Sequence, residues 1–485
     1  MCCEGVAERS APRPVLFGPA AGIAGQPSLA GDQLGDVASW PERADSESET
    51  PSAPPRFRGL RASLWTVLGY GGGQALRLAG NLVLTRLLFR EAFGLMALVN
   101  SLLLGLTMFS DIGIGLAIVR SRRGQESRFL DTAWTIQVLR GSLLLIVSLI
   151  FAWPAARFYA APQLLLLVPL MGLNLLLSGF NSTSLFTLNR RLDQRRLVLL
   201  DLAAQIFSLA VTVVWAVIQP SVWALMAGAT CSFVVKLLAS HALFSERRDR
   251  FDWEPEAARE LVTFGRWIFL SSILTFCAGR LDSLVLGKTL SIGELGTYSI
   301  ASNLARLPLE VLLGVGAAVM FPILSERFRR DEREFERELR RVRVFLLVPA
   351  VLASAGFALF GDRIIAFLYD PRYHEAGWML QALAAGQIAA LISISSGPAL
   401  FAIGDSFLNM LLEGVRALLL ISGMALGGHY FGKEGFVIGI AAGGPLLYPF
   451  WAMALRRRNL WLPGLDLAMM LLGYGLLCGG LLLRR

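Results

Sequence analysis

Five cations stand inside long apolar runs of this chain: Arg77, Arg140, Lys236, Arg266 and Arg280. Four of them have no acidic residue within one helical turn. Asp282 follows Arg280 by two residues, but that step turns about 200° around a helix and points the two apart. A cation at the centre of a bilayer costs about 2.5–3.5 kcal/mol, so such residues face a cavity, a partner or an interface. Arginine carries a planar fork of donors that grips phosphate oxygens two at a time. The chemistry open to this set is therefore anion recognition, with a diphosphate as the natural ligand for two arginines on one cleft. Arg266 and Arg280 share a helix face roughly 21 Å apart along its axis. Arg266 and Lys236 have snorkelling to an interface as the competing role, and any of the five could pair with Asp111, Asp201 or Asp282 from another helix.

Other polar groups inside the apolar runs have local explanations. Arg306 and Glu310 are four apart, with Asn303 on the same face, and Glu413 and Arg416 are three apart, so both sets are expected to pair internally. Asn174, Ser178 and Asn181 form one stripe, and Asp201, Gln205, Ser208 and Thr212 another; each could bond sugar hydroxyls or a neighbouring helix. The polar set expected at a cavity is thus Asn174, Asn181, Gln205, Asn303 and Arg306. Gly71 to Gly73, just before Arg77, permit either a hinge or close helix packing. Catalytic and cofactor patterns fail. The tripeptide at Gly287–Thr289 lacks the earlier glycine of a phosphate-binding loop, because Asp282 stands there, and Gln74 breaks a dinucleotide fingerprint. Five cysteines without a CxxC pair and three histidines offer no metal set. No cofactor, metal site or catalytic residue is expected.

The elements that must position these residues follow from composition. Of 485 residues, 55% are apolar and 17% charged, and the mean hydropathy is +0.57. A soluble domain carries about 25% charge, so an ordinary cytosolic enzyme is excluded and a polytopic membrane protein is expected. Continuous apolar segments of spanning length occur at 62–85, 93–117, 133–154, 164–187, 197–218, 221–243, 264–287, 295–321, 342–361, 377–401, 408–430, 435–455 and 464–482. Helices are the expected form, since a lipid-facing backbone must satisfy its own hydrogen bonds. With the N-terminus cytoplasmic, inside loops and flanks carry 26 Arg and Lys against nine outside, a bias that fixes orientation and accounts for a net charge of +9 without nucleic acid. The alternating Arg and Glu from Arg327 to Arg343 read as a solvated cytoplasmic helix with internal ion pairs.

The two halves repeat. The segment from Asn81 aligns without gaps with the segment from Ser283: Leu82, Val83, Leu84, Leu88, Gly94 and Leu102 recur as Leu284, Val285, Leu286, Leu290, Gly296 and Leu304. Arg77 and Arg280 correspond to within one residue. Six spans per repeat is an even number, so the halves face the same way about an axis along the membrane normal. The expected fold is an all-α polytopic membrane protein with two six-helix lobes in a parallel repeat around a central cleft, plus one extra C-terminal span. Its divisions are a disordered cytoplasmic tail (1–58), an N-lobe (59–244), a cytoplasmic linker (245–262), a C-lobe (263–458) and the extra span (459–485).

The stretch from Phe264 to Phe328, with RLDSLVLGK, LGTYSIASNLARLPLE and FPILSERF, resembles the polysaccharide transporter family of the multidrug/oligosaccharidyl-lipid/polysaccharide exporter superfamily, and EAFGLMALVNSL with DIGIGLAIVRSR echoes it in the first half. The resemblance covers about residues 60–455. It implies a flippase that carries undecaprenyl-diphosphate-linked oligosaccharide across the bacterial plasma membrane by alternating access, for capsule, exopolysaccharide or O-antigen. A polysaccharide polymerase and glycosyltransferases are the partners it brings to mind. Members usually have twelve or fourteen spans, so thirteen is a departure at the C-terminus. A drug or cation antiporter or a lipid II flippase of the same superfamily is the alternative. A membrane polysaccharide polymerase or ligase is a more distant one, since the longest outer loop between spans, 362–376, is short.

Overall fold

The computed structural model describes residues 55–111, 113–191, 193–244, 247–316, 320, 324, 332–403 and 405–482, without the side chains of 264–271, Ala278 and a few others. The tail at 1–54 and the side chain of Arg266 lie outside the described residues. Every element described is helical. The N-half contains α1 (Pro55–Leu87), α2 (Arg90–Met108), α3 (Ile114–Arg120), α4 (Ser127–Phe158), α5 (Leu164–Gly179), α6 (Ser184–Arg190), α7 (Gln194–Ile218) and α8 (Val222–Ala242). The C-half contains α9 (Pro255–Thr289), α10 (Ile292–Val315), α11 (Glu332–Leu368), α12 (Ala376–Ile394), α13 (Gly397–Ala402), α14 (Ser406–Arg457) and α15 (Pro463–Leu482). Polar residues at the ends start these helices. Ser291 and Glu294 form a reciprocal capping box on α10. Asp193 and Asp405 accept from the first-turn N–H groups of α7 and α14.

Eight helices among the described residues are long and apolar enough to cross a bilayer, and the bent pair α5 and α6 makes a ninth. The helices that carry charge into the protein centre, α1, α9 and α10, are not among them. In α14 two expected spans form one helical hairpin without a loop: Gly432 turns the chain at φ 62° and ψ −139°. Gly423 then lies on Gly439 and Gly427 on Gly435, with backbone where side chains would be.

The sequence repeat is visible in the packing. Helices α2 and α10 begin in the register that relates Asn81 to Ser283, and they meet through repeat-equivalent glycines. A Cβ on Gly94 would overlap the carbonyl of Ile292, and a Cβ on Gly296 would overlap the carbonyl of Arg90. Arg90 and Ile292 are themselves equivalent positions. That reciprocity puts the pseudo-twofold axis between the two glycines. One core joins α2, α4, α5, α7 and α8, including Leu88, Val99, Leu164 and Met226. Another joins α10 to α15, including Leu347, Leu391, Leu400 and Trp451. A third, with Leu98, Leu286, Tyr298 and Tyr373, crosses between the lobes.

One sequence expectation is corrected here. Arg343, counted with the cytoplasmic loop, is buried inside α11. It bonds Asp466 of α15 at 2.9 Å, with Ser395 Oγ and the Ile392 carbonyl at 3.1 Å each. Its run of neighbouring arginines hid an internal one. The same bond ties α15 to α11. The segment at 247–254 lies against the N-lobe. Glu254 holds Arg123 at 2.6 Å, Asp131 pairs with Arg247, and Asp249 accepts from Ser182 and Thr183. Ala257, Ala258 and Leu261 of α9 continue that contact into α3 and α4.

Candidate functional site

A cavity of about 620 Å³ lies between the lobes, walled by α1, α2, α7, α8, α9 and α10. The walls are polar because each helix brings a stripe at helical spacing. Gln74, Arg77 and Asn81 come from α1, Asn100 and Ser101 from α2, and Gln205, Ser208 and Thr212 from α7. Arg280 and Ser283 come from α9, and Ser299, Ser302, Asn303 and Glu310 from α10. Gly69, Gly73 and Gly80 let α1 seat against Val198, Gln205 and Leu209 of α7, whereas Gly71 faces open space; α1 stays helical throughout.

Arg77 and Arg280, from the repeat-equivalent first helices of the two lobes, both line this cavity. Among the described residues neither makes a hydrogen bond or an ion pair. Arg280 sits in a mixed field, repelled by Arg306 and attracted by Asp282 and Glu310. The one carboxylate among the described lining residues is Glu310. It accepts from Gln74 Nε2 at 2.7 Å, a bond between lobes, and Gln74 also donates to Tyr70 Oη at 3.1 Å.

The remaining sequence candidates divide. Gln205 and Asn303 line the central cavity with the two arginines. Arg140 and Asn181 line a separate N-lobe cavity of about 440 Å³, where Arg140 donates to Ser110 Oγ at 3.0 Å and to the Thr107 carbonyl at 2.7 Å. Lys236 is bound to Asp201 of α7 at 2.6 Å. Asn174 is buried in α5 against Met171, away from either cavity. Arg306 does not pair with Glu310 as its spacing suggested. It turns to Asp282 of α9 at 2.6 Å, with Ser302 Oγ at 3.1 Å and the Gly279 carbonyl as further acceptors. Asp282 is fully buried and already holds Tyr298 Oη at 2.6 Å, and a buried carboxylate without a cation is far costlier than one in the cavity wall. Glu413 and Arg416 keep their pair, at 3.5 Å. Sequence reading missed Gln74, Asn81 and Asn100. Gln74 and Asn81 lie three and four residues from Arg77, which was the available signal; no such spacing marked Asn100.

A family model described as polysaccharide biosynthesis protein matches residues 83–377, more than half of the chain. The chain belongs to this family. It is similar to the succinoglycan biosynthesis transport protein ExoT of Rhizobium meliloti (strain 1021), 24% identical over 308 residues that cover 62% of each chain. It is also similar to the lipopolysaccharide biosynthesis protein WzxC of Escherichia coli (strain K12), 21% identical over 363 residues, 74% of this chain and 72% of that one. The match thus spans about three fifths of the length of the first of these relatives. The fold is that of an inward-facing multidrug resistance MATE family transporter of the MOP superfamily, with a TM-score of 0.64 and 14% identity over 83% of this chain and 97% of that one. The protein is a multi-pass membrane member of the polysaccharide biosynthesis protein family, with a helical fold similar to that of the MATE transporter.

Proposed function

We propose that this family member carries undecaprenyl-diphosphate-linked oligosaccharide across the bacterial plasma membrane by alternating access, for capsule, exopolysaccharide or O-antigen assembly. The observation that carries this reading is the pair of arginines, Arg77 and Arg280, one from each lobe, on one cavity with no acid among the described residues bound to either. A diphosphate would bridge them and be released when the lobes move apart. The cavity volume falls in the range of about 300–1,000 Å³ that holds a small ligand. It suits a diphosphate and its first sugars and leaves the polyprenyl tail in the bilayer. Gln205, Asn303, Asn81 and Asn100 offer both donors and acceptors for sugar hydroxyls. The excess of arginine in one set of loops supports a cytoplasmic N-terminus, on the side where such a lipid would be taken up. A cation antiporter would want a free carboxylate in the cavity, and Glu310 is engaged by Gln74. The chain acts in this reading as a transporter and not as an enzyme.

The test is flipping of undecaprenyl-diphosphate-linked oligosaccharide in proteoliposomes, with wild type beside Arg77→Ala and Arg280→Ala. Loss of transport in both folded variants is expected. Wild-type transport undiminished in both would discard the head-group site and keep the function. No transport by wild type across a panel of sugar compositions would discard the function.

A further inference from the structure

A second, smaller cavity lies within the C-lobe against α10. Ser302 lines both it and the central cavity. It has a volume of about 70 Å³, and its polar walls are Tyr298, Ser302, Arg306, Gln387 and Arg416, with Gly443 and Gly444 leaving the room. Its groups differ in how far they are satisfied. Arg306 directs its donors to Ser302, Gly279 and Asp282. Tyr298 donates to Asp282. Arg416, by contrast, has five N–H donors and among the described residues meets only Glu413, at 3.5 Å. Gln387 Nε2 is shut off from solvent and has no acceptor. Ser302 Oγ accepts from Arg306 and hydrogen-bonds Tyr298, so it is already satisfied. Among the described residues no carboxylate lines the chamber.

A small buried space lined by two cations, Arg306 and Arg416, and by an unpartnered amide donor selects an acceptor with negative charge. We propose that this chamber binds a small inorganic anion of halide size, held by Arg416 and the Gln387 amide. Volume excludes a sugar or a diphosphate, which the central cavity is nine times better sized to hold. The site is distinct from the head-group arginines and does not depend on the lipid substrate assigned above.

The probe is chloride or bromide itself, on the purified full chain in detergent. The unfolding midpoint is measured while sodium gluconate is exchanged for sodium chloride or bromide at constant ionic strength. A saturable rise with either halide is expected, because a ligand that binds only the folded state stabilises it by mass action. Arg416→Gln removes a charge-assisted bond and should raise the half-saturating concentration about ten-fold or more. Gln387→Leu should weaken binding as well, and it carries the test if Arg416→Gln does not fold. Arg77→Gln and Arg280→Gln should leave half-saturation unchanged. No halide-specific rise would overturn the proposal and leave the chamber to water. So would a rise that survives Arg416→Gln and Gln387→Leu but disappears with Arg77→Gln or Arg280→Gln, since the halide would then sit in the central cavity. Anomalous scattering from bromide-soaked crystals gives the position directly, and a peak anywhere but beside Arg416 counts against it.

Discussion

Replacing Asp466 by leucine should destabilise the C-lobe severely, and replacing Arg343 by methionine in the same chain should restore it. The side chains of Arg343 and Asp466 are 0% and 2% exposed, and they meet at 2.9 Å. At that separation the attraction is roughly 6 kcal/mol for an effective dielectric of about 20. Taking each ion out of water costs several kcal/mol, so the intact pair contributes little net stability. The single substitution is different. It leaves a guanidinium in the core with only neutral acceptors, Ser395 Oγ and the Ile392 carbonyl, and with Nη1 already unpartnered. Stranding one member of a buried pair costs about 3–5 kcal/mol. Tyr448, which donates to Asp466 at 3.3 Å, loses its acceptor at the same time. The apolar double variant should be within about 1 kcal/mol of wild type or more stable. The assay is equilibrium unfolding in mixed micelles for wild type, Asp466→Leu, Arg343→Met and the double variant, read as a double-mutant cycle. Losses in the two single variants that simply add in the double would refute the pairing. So would an Asp466→Leu protein as stable as wild type.

Three further outcomes follow from the geometry. Gly94→Leu or Gly296→Leu should destabilise the inter-lobe contact by about 1–3 kcal/mol or more through overpacking, and the two should behave alike because the contact is reciprocal; the unfolding midpoints check it. Lys236→Met with Asp201→Leu should transport like wild type, since that pair is engaged away from the central cavity; flipping in proteoliposomes equal to that of Arg77→Ala would contradict it. In the loop after α11, the Arg372 guanidinium and then the Arg372 backbone N–H hold the Asp370 carboxyl below the usual carboxylate range. A lowered folded-state value stabilises above the ordinary aspartate range and is lost as pH falls through the lowered value. The unfolding midpoints of wild type and Asp370→Asn should therefore differ near neutrality and converge in acid.

Much of the fold was legible because a bilayer leaves so few options. Apolar runs of spanning length must be helices, and the arithmetic of the repeat made the two lobes parallel. Gly94 and Gly296 were already aligned in the sequence as equivalent positions. That they touch each other was not, because a repeat gives correspondence and says nothing of contact. The helical hairpin at Gly432 was read as two spans, which it is, because Lys433 and Glu434 beside that glycine punctuate the apolar run. Arg343 was misplaced. Charge counting assigns a residue to water or lipid by its neighbours in sequence, and the partner that allows Arg343 inside, Asp466, is more than a hundred residues away.

The same limit governs the candidate site and shows how far charge alone can be trusted. Every unneutralised cation inside a span was a candidate, and spacing could test only partners on the same helix. Partners on other helices then sorted the set. Lys236 was claimed by Asp201, Arg306 by Asp282, and Arg140 by a serine and a carbonyl. Arg306 shows that even a favourable four-residue spacing is overridden when a more deeply buried carboxylate competes, because the penalty for leaving Asp282 alone exceeds the gain of pairing with Glu310 at the cavity wall. What is left after that sorting is informative in a way the full list was not. Arg77 and Arg280 are related by the repeat and share one cavity, and no described residue neutralises either. Arg77 is exposed where it lines that cavity and Arg280 is half-buried. The proposed diphosphate would supply charge to both and meet both lobes at once.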